Sequence, residues 1–389
     1  MTLPARVLAG RLPRDLHPVA WWCWALGLAM AASLTTNPLT LLLIMAVAIL
    51  VVVARRAEHP WAQAFRIYLW MALAIVVIRV GFRIVFPGPQ GGTVLISLPE
   101  IPLPGWVAGV QLLGPVTVEG LLSGLYDGLR LAALIICVGA ANALANPKRL
   151  LKSLPPALYE MGTALVVAVT IIPQLADAVR RVRAAQRLRG GPTGRVARVR
   201  RFLVPVLEDA LERSLALAAG MDTRGYGRAP GASRLERRTT GALLLAGLVG
   251  ISVGVYAILD QTAPRLLARP MLLAGIALAL VGLWSAGRRV TRTRYRPDRW
   301  RLPELATVAC GLVVAWSAWV VARDHIALAY PGVDAPPTMT LSLLVAVLVG
   351  AAPALLTPPP ARPALAVARR AVPPSSQPAP PRSKAGVPT

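Results

Sequence analysis

The sequence has few lysines, and this scarcity excludes one kind of ATP site. Of the 42 Lys and Arg residues in the 389-residue chain, only Lys148, Lys152 and Lys384 are lysines, and none of them follows a glycine. A P-loop requires Gly-Lys before Ser or Thr, so that the lysine reaches the β- and γ-phosphates of the nucleotide. We therefore expect no ATP hydrolysis of this kind by the chain itself.

Cysteine and histidine are also scarce, with three residues of each. Cys23, Cys137 and Cys310 each lie in an apolar run and none belongs to a C-x-x-C pair, which argues against a disulfide framework and against a zinc knuckle. The three histidines are isolated from one another. The sequence predicts no metal site, no cofactor and no catalytic residue.

Charge is low in amount but strongly one-sided. Charged residues make up 15% of the chain, against about 25% in an average globular domain. Hydrophobic residues make up 56%, the mean hydropathy is +0.59 and the formal net charge is +25. An arginine-rich chain can bind nucleic acid, but in a chain this apolar the basic side of a membrane protein explains the charge better. We therefore expect the chain to be embedded in a lipid bilayer and not to bind nucleic acid.

Eight apolar runs approach the 17–25 residues that cross a bilayer about 30 Å thick. They cover 19–36, 39–54, 67–86, 129–145, 241–259, 271–286, 305–322 and 340–356. These runs predict an all-α fold, a polytopic bundle of about eight membrane helices. A ninth apolar run, 158–176, could be a span or a helix along the membrane surface.

The distribution of basic residues predicts which loops face the cytoplasm. Segment 177–239 has fifteen arginines against six acidic residues, and segment 287–302 has seven arginines against one aspartate, whereas segment 87–127 has three acidic residues and no base. Basic loops stay on the cytoplasmic side. With eight spans and both termini in the cytoplasm, every strongly basic segment falls inside. If 158–176 also crossed, one basic segment would lie outside, so we interpret this run as a lateral helix.

This topology divides the chain into four parts. Residues 1–146 form an N-terminal membrane domain of four spans, and 147–239 form a cytoplasmic insert. Residues 240–356 add four more spans. The tail 357–389 has ten prolines in 33 residues and is expected to be disordered.

The insert contains two predicted helices that both end in Arg-Gly. The first runs from about Leu158 to Arg189, with Pro173 inside it, and ends in Ala-Gln-Arg-Leu-Arg-Gly at 185–190. After a basic linker, 194–201, the second has a leucine at every fourth position and ends in Met-Asp-Thr-Arg-Gly-Tyr at 221–226. A helix often ends in glycine with arginine in its last turn for structural reasons alone. A projecting guanidinium with five donors also suits an acidic or carbonyl-lined groove on another protein.

These motifs resemble the transmembrane T component of energy-coupling-factor (ECF) transporters, the CbiQ/EcfT family. Its two cytoplasmic coupling helices end in Ala-x-x-x-Arg-Gly, which residues 185–190 match. Residues 220–226 are similar to the second motif, although Gly220 stands where the family usually has alanine. Segments 120–131, 146–155 and 172–175 also look like the family, and the resemblance covers about 15–260.

The resemblance implies a non-catalytic subunit of an ATP-driven importer in the bacterial cytoplasmic membrane. Two ATP-binding-cassette (ABC) ATPase subunits would receive the helix ends, and a membrane-embedded substrate-binding S component would release a vitamin or a transition-metal ion. The implied ATPase-docking residues are Ala185, Arg189, Gly190, Met221, Arg224 and Gly225. The implied coupling surface toward the S component comprises Leu158, Pro173, Leu203, Leu207, Leu211 and Leu215.

Two arginines inside the third predicted span are a separate feature. Arg79 and Arg83 lie one helical turn apart, and an arginine at mid-bilayer costs about 2.5–3.5 kcal/mol on insertion scales. Arg83 can reach the membrane surface, whereas Arg79 is deeper and should face a helix or a partner. Both structural pairing and a role in transport remain open for Arg79.

Two other classes of function remain as alternatives. A secondary transporter would need ionisable residues in several spans, and beyond Arg79 there are almost none. A polytopic membrane enzyme would need acidic catalytic residues on one face, but Glu100, Glu119 and Asp127 are scattered. Neither alternative would require ATPase partners.

Overall fold

A computed structural model describes residues 14–56, 64–87, 92–99, 112–188, 195–226, 233–260, 264, 267–288, 298–333 and 336–359. Apart from one two-stranded sheet, the regular structure in these ranges is helical, so the predicted all-α class is confirmed. In chain order the elements are α1 (Pro18–Ser33), α2 (Pro38–Arg55), α3 (Phe65–Val85), β1 (Val94–Ser97), β2 (Pro115–Thr117), α4 (Val118–Leu144), α5 (Pro147–Lys152), α6 (Tyr159–Leu188), α7 (Arg195–Asp222), α8 (Arg234–Leu259), α9 (Arg269–Gly287), α10 (Leu302–Asp324), α11 (Ile326–Ala329), α12 (Leu341–Val349) and α13 (Pro353–Leu356).

The helices begin where capping residues precede apolar runs. Asn37 accepts a hydrogen bond from the Leu39 amide and Pro38 follows it, which fixes the start of α2. Thr117 caps α4 through the Gly120 amide. Ser233 and Glu236 form a reciprocal capping box at the start of α8.

Seven of the described helices contain a segment long and apolar enough to cross a membrane, and two apolar helical segments are shorter. The long segments are Pro38–Arg55, Phe65–Val85, Val118–Leu144, Met161–Ala185, Arg234–Leu259, Arg269–Gly287 and Leu302–Asp324; the shorter ones are Pro18–Ser33 and Leu341–Leu356. The bundle predicted from the sequence is therefore confirmed. Residues 161–185 of α6 meet the requirements of a span by length and composition, so a lateral α6 stays a prediction.

The chain divides into two compact units, one made of Met1–Pro147 with Asp298–Thr389 and the other of Lys148–Pro297. The first unit joins the N-terminal helices to the C-terminal segment, and the second contains α6 to α9. The four-part division by membrane spans remains a prediction. The proline-rich tail from residue 360 onward lies outside the described residues.

The core of the first unit is built by α1, α2, α4 and α10. Trp24 and Leu28 of α1, Ile44 of α2, Cys137 of α4 and Val314 of α10 are fully buried. Helices α1 and α10 approach closely because glycines face each other. A Cβ built at Gly27 would clash with the carbonyl oxygen of Gly311, and one built at Gly311 would lie 2.6 Å from the Cα of Trp24.

Polar side chains tie the C-terminal segment 298–359 to α1 and α2. Arg14 binds Glu304, which is 1% exposed, and the Trp24 indole donates to the carbonyl of Gly350 over 2.9 Å. The Asn37 amide donates to the carbonyls of Leu328 and Thr338 over 3.0 and 2.7 Å. Such bonds satisfy backbone carbonyls away from water, where an unpaired polar group is costly.

Helix α4 begins eleven residues before the predicted span 129–145, which is a correction to the sequence analysis. Glu119 and Asp127, expected in an outer loop, belong to its first turns. Glu119 accepts hydrogen bonds from the amide and hydroxyl of Thr93. It thereby joins the start of α4 to the antiparallel pair β1–β2, which the sequence did not predict.

In the second unit, α8 and α9 pack along each other as a hairpin through small residues. A Cβ built at Gly250 would lie 2.9 Å from the Cα of Gly275, and one built at Gly254 would lie 2.6 Å from the Leu272 amide nitrogen. Close packing of backbones through small residues is a common way to associate membrane helices. The hydroxyls of Thr240 and Ser285 add a hydrogen bond of 3.0 Å between the same two helices.

Candidate functional site

Helices α6 and α7 pack against each other, and each of them has a buried apolar residue. Ala178 of α6 and Val206 of α7 are buried, whereas most of the described side chains around them on both helices are exposed. Pro173 lies inside α6 as the sequence predicted, and Pro205, which the sequence analysis overlooked, lies inside α7. A proline inside a helix removes one backbone hydrogen bond and favours a kink. Each of the two helices therefore has a position at which a bend is favoured.

Asp209 of α7 is the electrostatic centre of this contact. It accepts a hydrogen bond from Arg181 of α6 at 3.2 Å and pairs with Arg213 of its own helix at 3.0 Å. The guanidinium of Arg183 lies over the ring of Phe202, 5.5 Å from its centroid. The contacts of Arg181 with Asp209 and of Arg183 with Phe202 join α6 to α7, and each adds little stability alone because the groups are partly exposed.

A groove runs along the contact between α6 and α7. Thr170, Gln174 and Leu175 line it from α6, and Ala210, Ser214 and Leu217 line it from α7. These residues were not predicted from the sequence, because the contact joins positions about forty apart. The only sequence signal was the opposite charge of Arg181 and Asp209, which is common on any polar helix surface.

The leucine ladder of α7 does not pack against α6. Leu203, Leu207, Leu211 and Leu215 are 47, 56, 61 and 62% exposed. Their helix begins at Arg195, so most of the basic segment predicted as a linker is helical. The ladder is therefore an apolar stripe open to a partner or to lipid.

The C-terminal end of α7 has a well-defined backbone cap. Gly225 has a φ of +73°, and the Tyr226 amide donates to the carbonyl of Met221 while the Gly225 amide donates to that of Asp222. This pattern is a Schellman motif with glycine at the left-handed position. Arg224 directly precedes that glycine and is exposed. The cap therefore presents this arginine at the tip of the helix.

The other predicted site residues lie in several places. Ala185 is exposed in the last turn of α6, whereas Arg189 and Gly190 lie outside the described residues. Leu158 is half-buried in a short 3-10 turn before α6, and Pro173 is exposed. The ladder and the α7 tip thus belong to one helix.

Arg79 and Arg83, the two arginines of the third predicted span, lie on the side of α3 that meets α4. Arg83 is 3.7 Å from Asp127 and donates to the hydroxyl of Ser123 over 3.3 Å. A Cβ built at Gly128 would lie 3.3 Å from the Cβ of Arg79. The structure thus gives Arg83 an internal partner, whereas Arg79 is exposed.

Comparison with known proteins identifies relatives of this chain. Residues 9–234 match the family CbiQ, described as "Cobalt transport protein". The chain is 29% identical over 192 residues to the energy-coupling factor transporter transmembrane protein EcfT of Leuconostoc gelidum subsp. gasicomitatum, covering 43% of this chain and 71% of that protein. It is 30% identical over 129 residues to the EcfT protein of Staphylococcus aureus, covering 28% of this chain and 48% of that protein.

The matched region holds α1 to α7 with both Arg-Gly sequences, while α9 to α13 lie beyond it. The match spans more than half of the chain, and the apolar helices agree with a multi-pass membrane subunit. The chain therefore belongs to the CbiQ/EcfT family, the transmembrane T components of energy-coupling-factor transporters.

Proposed function

We propose that α6 and α7 are the coupling helices of this energy-coupling subunit and that their Arg-Gly ends dock on two ABC ATPase subunits. The observation that carries this proposal is the α7 tip, where the Gly225 cap presents exposed Arg224. In this proposal Arg189 enters one ATPase and Arg224 enters the other. Ala185 and Met221 contact the rims of the two grooves, and Gly190 and Gly225 end the helices.

The chemistry of the tip suits a groove lined by carboxylates or carbonyls. The last carbonyls of a helix carry partial negative charge, so a cation placed there is stabilised. Arginine keeps its charge and offers donors in a planar fork. A backbone held by two cap hydrogen bonds loses little freedom on docking, which favours binding.

Movement of the tips would reach the rest of the transporter through the contact of α6 with α7. The pairs of Asp209 with Arg181 and Arg213 support a motion of the two helices as one body. The exposed ladder of α7, with Leu158 and Pro173 near and within α6, would slide on an S component in the membrane. ATP-driven closure of the ATPases would thus reorient the S component and release a vitamin or a transition-metal ion into the cytoplasm.

Co-purification in mild detergent tests the docking. The full chain is expressed with its ATPases as wild type, as Arg189→Ala with Arg224→Ala, and as the control Arg180→Ala. Arg180 is an exposed arginine of α6 that pairs with Asp177, three positions before it on the same helix, at 3.6 Å. We expect the double variant to lose both ATPases and the control to retain them. Retention of the ATPases by the double variant at wild-type yield would refute the docking.

Uptake measurements separate the proposal from its alternatives. Uptake by the proposed complex stops when cellular ATP is depleted while the proton gradient is clamped. Persistent uptake under these conditions would indicate a secondary transporter. Product formation by the chain purified alone would indicate a membrane enzyme.

The proposed location is the bacterial cytoplasmic membrane, with both termini in the cytoplasm. Tags at the two ends would test this orientation by protease protection.

A further inference from the structure

Arg79 is a charged residue of α3, a helix that is long and apolar enough to cross a membrane. No hydrogen bond or ion pair joins it to another group among the residues that the structure describes, and it is exposed. Helix α3 is also the least covered long helix of its unit. Only 6% of its 18-residue apolar stretch is buried, against 39% of the corresponding stretches in α2, α4 and α10. The open side of the first unit and the charge of Arg79 therefore lie on the same helix.

The depth of Arg79 makes the missing partner costly. Helix α3 spans Phe65–Val85, so Arg79 lies about 6 Å from its midpoint and about 9 Å from its end. Side chains of a helix tilt toward its N-terminus. For Arg79 this direction leads toward the bilayer centre and away from the nearer end, which disfavours contact with lipid phosphates at that end.

The neighbouring acid is already engaged. Asp127 on α4 lies 3.7 Å from Arg83, which also binds Ser123. Two glycines of α4 leave room for the first side-chain carbons of both arginines. A Cβ built at Gly124 would lie 2.6 Å from the Cγ of Arg83, and one built at Gly128 would lie 3.3 Å from the Cβ of Arg79. Among the described residues, Asp127 is thus the anion paired with Arg83, and none is paired with Arg79. One further anion would balance the charge of Arg79.

Beside Arg79 runs an apolar stripe of α3. Met71, Ile78 and Phe82 are exposed and recur at seven- and four-residue steps, so they lie on one side of the helix. An apolar stripe with a single cation at its edge complements an apolar helix with a single carboxylate. A second copy of this chain would place like charges near each other.

We infer that the α3–α4 surface around Arg79 docks a membrane helix of the S component that carries one Asp or Glu on an otherwise apolar face. The identity of the partner rests on the proposed function. The ion pair would form at the depth of Arg79, with the stripe Met71, Ile78 and Phe82 packing beside it. This contact belongs to the first unit, whereas the ladder of α7 belongs to the second.

The test uses the full chain expressed with its ATPases and S component. Arg79→Leu removes the charge and suits an apolar environment, so the variant should insert. The matched control is Arg66→Leu, an exposed arginine in the first turn of the same helix. We expect Arg79→Leu to retain the ATPases and to lose about tenfold or more of the recovered S component, and Arg66→Leu to retain both. Charge reversal with Arg79→Glu should be rescued by lysine at the partner's acidic position.

Several results would overturn the inference. One is recovery of the S component with Arg79→Leu at the wild-type level. Another is binding of the S component that depends on anionic lipid in nanodiscs and is unaffected by neutralising the partner's acid, which would identify a lipid phosphate as the occupant. Cross-linking of two copies through Ile78→Cys would identify a second copy. Recovery of the ATPases by the wild-type chain tests the proposed function separately, because their docking sites belong to the second unit.

Discussion

Glu304 accepts hydrogen bonds from both terminal nitrogens of Arg14, at 2.8 and 3.1 Å, across 290 positions of sequence. The carboxylate is 1% exposed and the arginine side chain 22% exposed. The pair lies where the chain enters α1 and where α10 begins, and it joins the segment matched by the family to the segment beyond it.

Glu304→Ala should destabilise the chain by about 3 kcal/mol, because removing one member of a buried pair leaves the other charge unpaired. The control is Arg323→Ala, whose partner Asp324 is 3.9 Å away, with both side chains more than half exposed. Its expected cost is about 0–1 kcal/mol. Thermal unfolding in one detergent would compare the two. Equal losses of stability would contradict the assignment of Glu304 as a structural anchor.

Gly27→Ala should lower stability by about 2 kcal/mol, because the added methyl group meets the Gly311 backbone and a packed core cannot absorb it. Gly81→Ala makes the same chemical change in α3, where a Cβ meets nothing within 4 Å. It should leave the melting temperature unchanged or raise it. A Gly27→Ala variant that melts like wild type would show that α1 and α10 are not closely packed.

Gly225→Ala should loosen the tip of α7, because an alanine in the left-handed region costs about 1–2 kcal/mol. Gly220→Ala restores the residue usual in the family at a helical position with open space around its Cβ. It should stabilise α7 by about 0.5–1 kcal/mol. Amide hydrogen exchange at Tyr226, which donates to the carbonyl of Met221, should become faster in the first variant only. The same variant should recover less ATPase.

Asn37→Asp should cost about 1–3 kcal/mol. The aspartate keeps the oxygen that caps α2 but loses the two N–H donors that bind the carbonyls of Leu328 and Thr338. Ser33→Ala serves as the control, since the Ser33 hydroxyl donates to the Met30 carbonyl at an exposed position. Thermal unfolding at neutral pH provides the comparison. Similar melting temperatures for the two variants would exclude a role for Asn37 in holding the C-terminal segment.

Hydropathy predicted most helices well because their apolar runs are bounded by charges or prolines. The predicted 39–54, 241–259 and 305–322 correspond to Pro38–Arg55, Arg234–Leu259 and Leu302–Asp324. The start of α4 was missed because Glu119 and Asp127 lower the hydropathy of its first turns. In the structure Thr93 donates a hydrogen bond to Glu119 and Arg83 lies near Asp127, and both of these partners are distant in sequence.

The site was predictable where its signals are local. The Arg-Gly ending predicted the cap of α7, since a glycine that follows the last helical residues favours the left-handed conformation. The contact of Arg181 with Asp209 and the exposure of the leucine ladder depend on how α6 and α7 cross. Periodicity identifies an apolar stripe but does not say which partner covers it.

The contact between Arg14 and Glu304 also affects when the N-terminal helices can complete their packing during synthesis. A ribosome adds about 5–20 residues per second, so α1 waits roughly 15–60 s for α10 to be synthesised. During that interval Asn37 has no carbonyl from residues 328 or 338 to bind, and Gly27 faces no Gly311. The N-terminal helices therefore lack these contacts until the residues up to 338 have been synthesised.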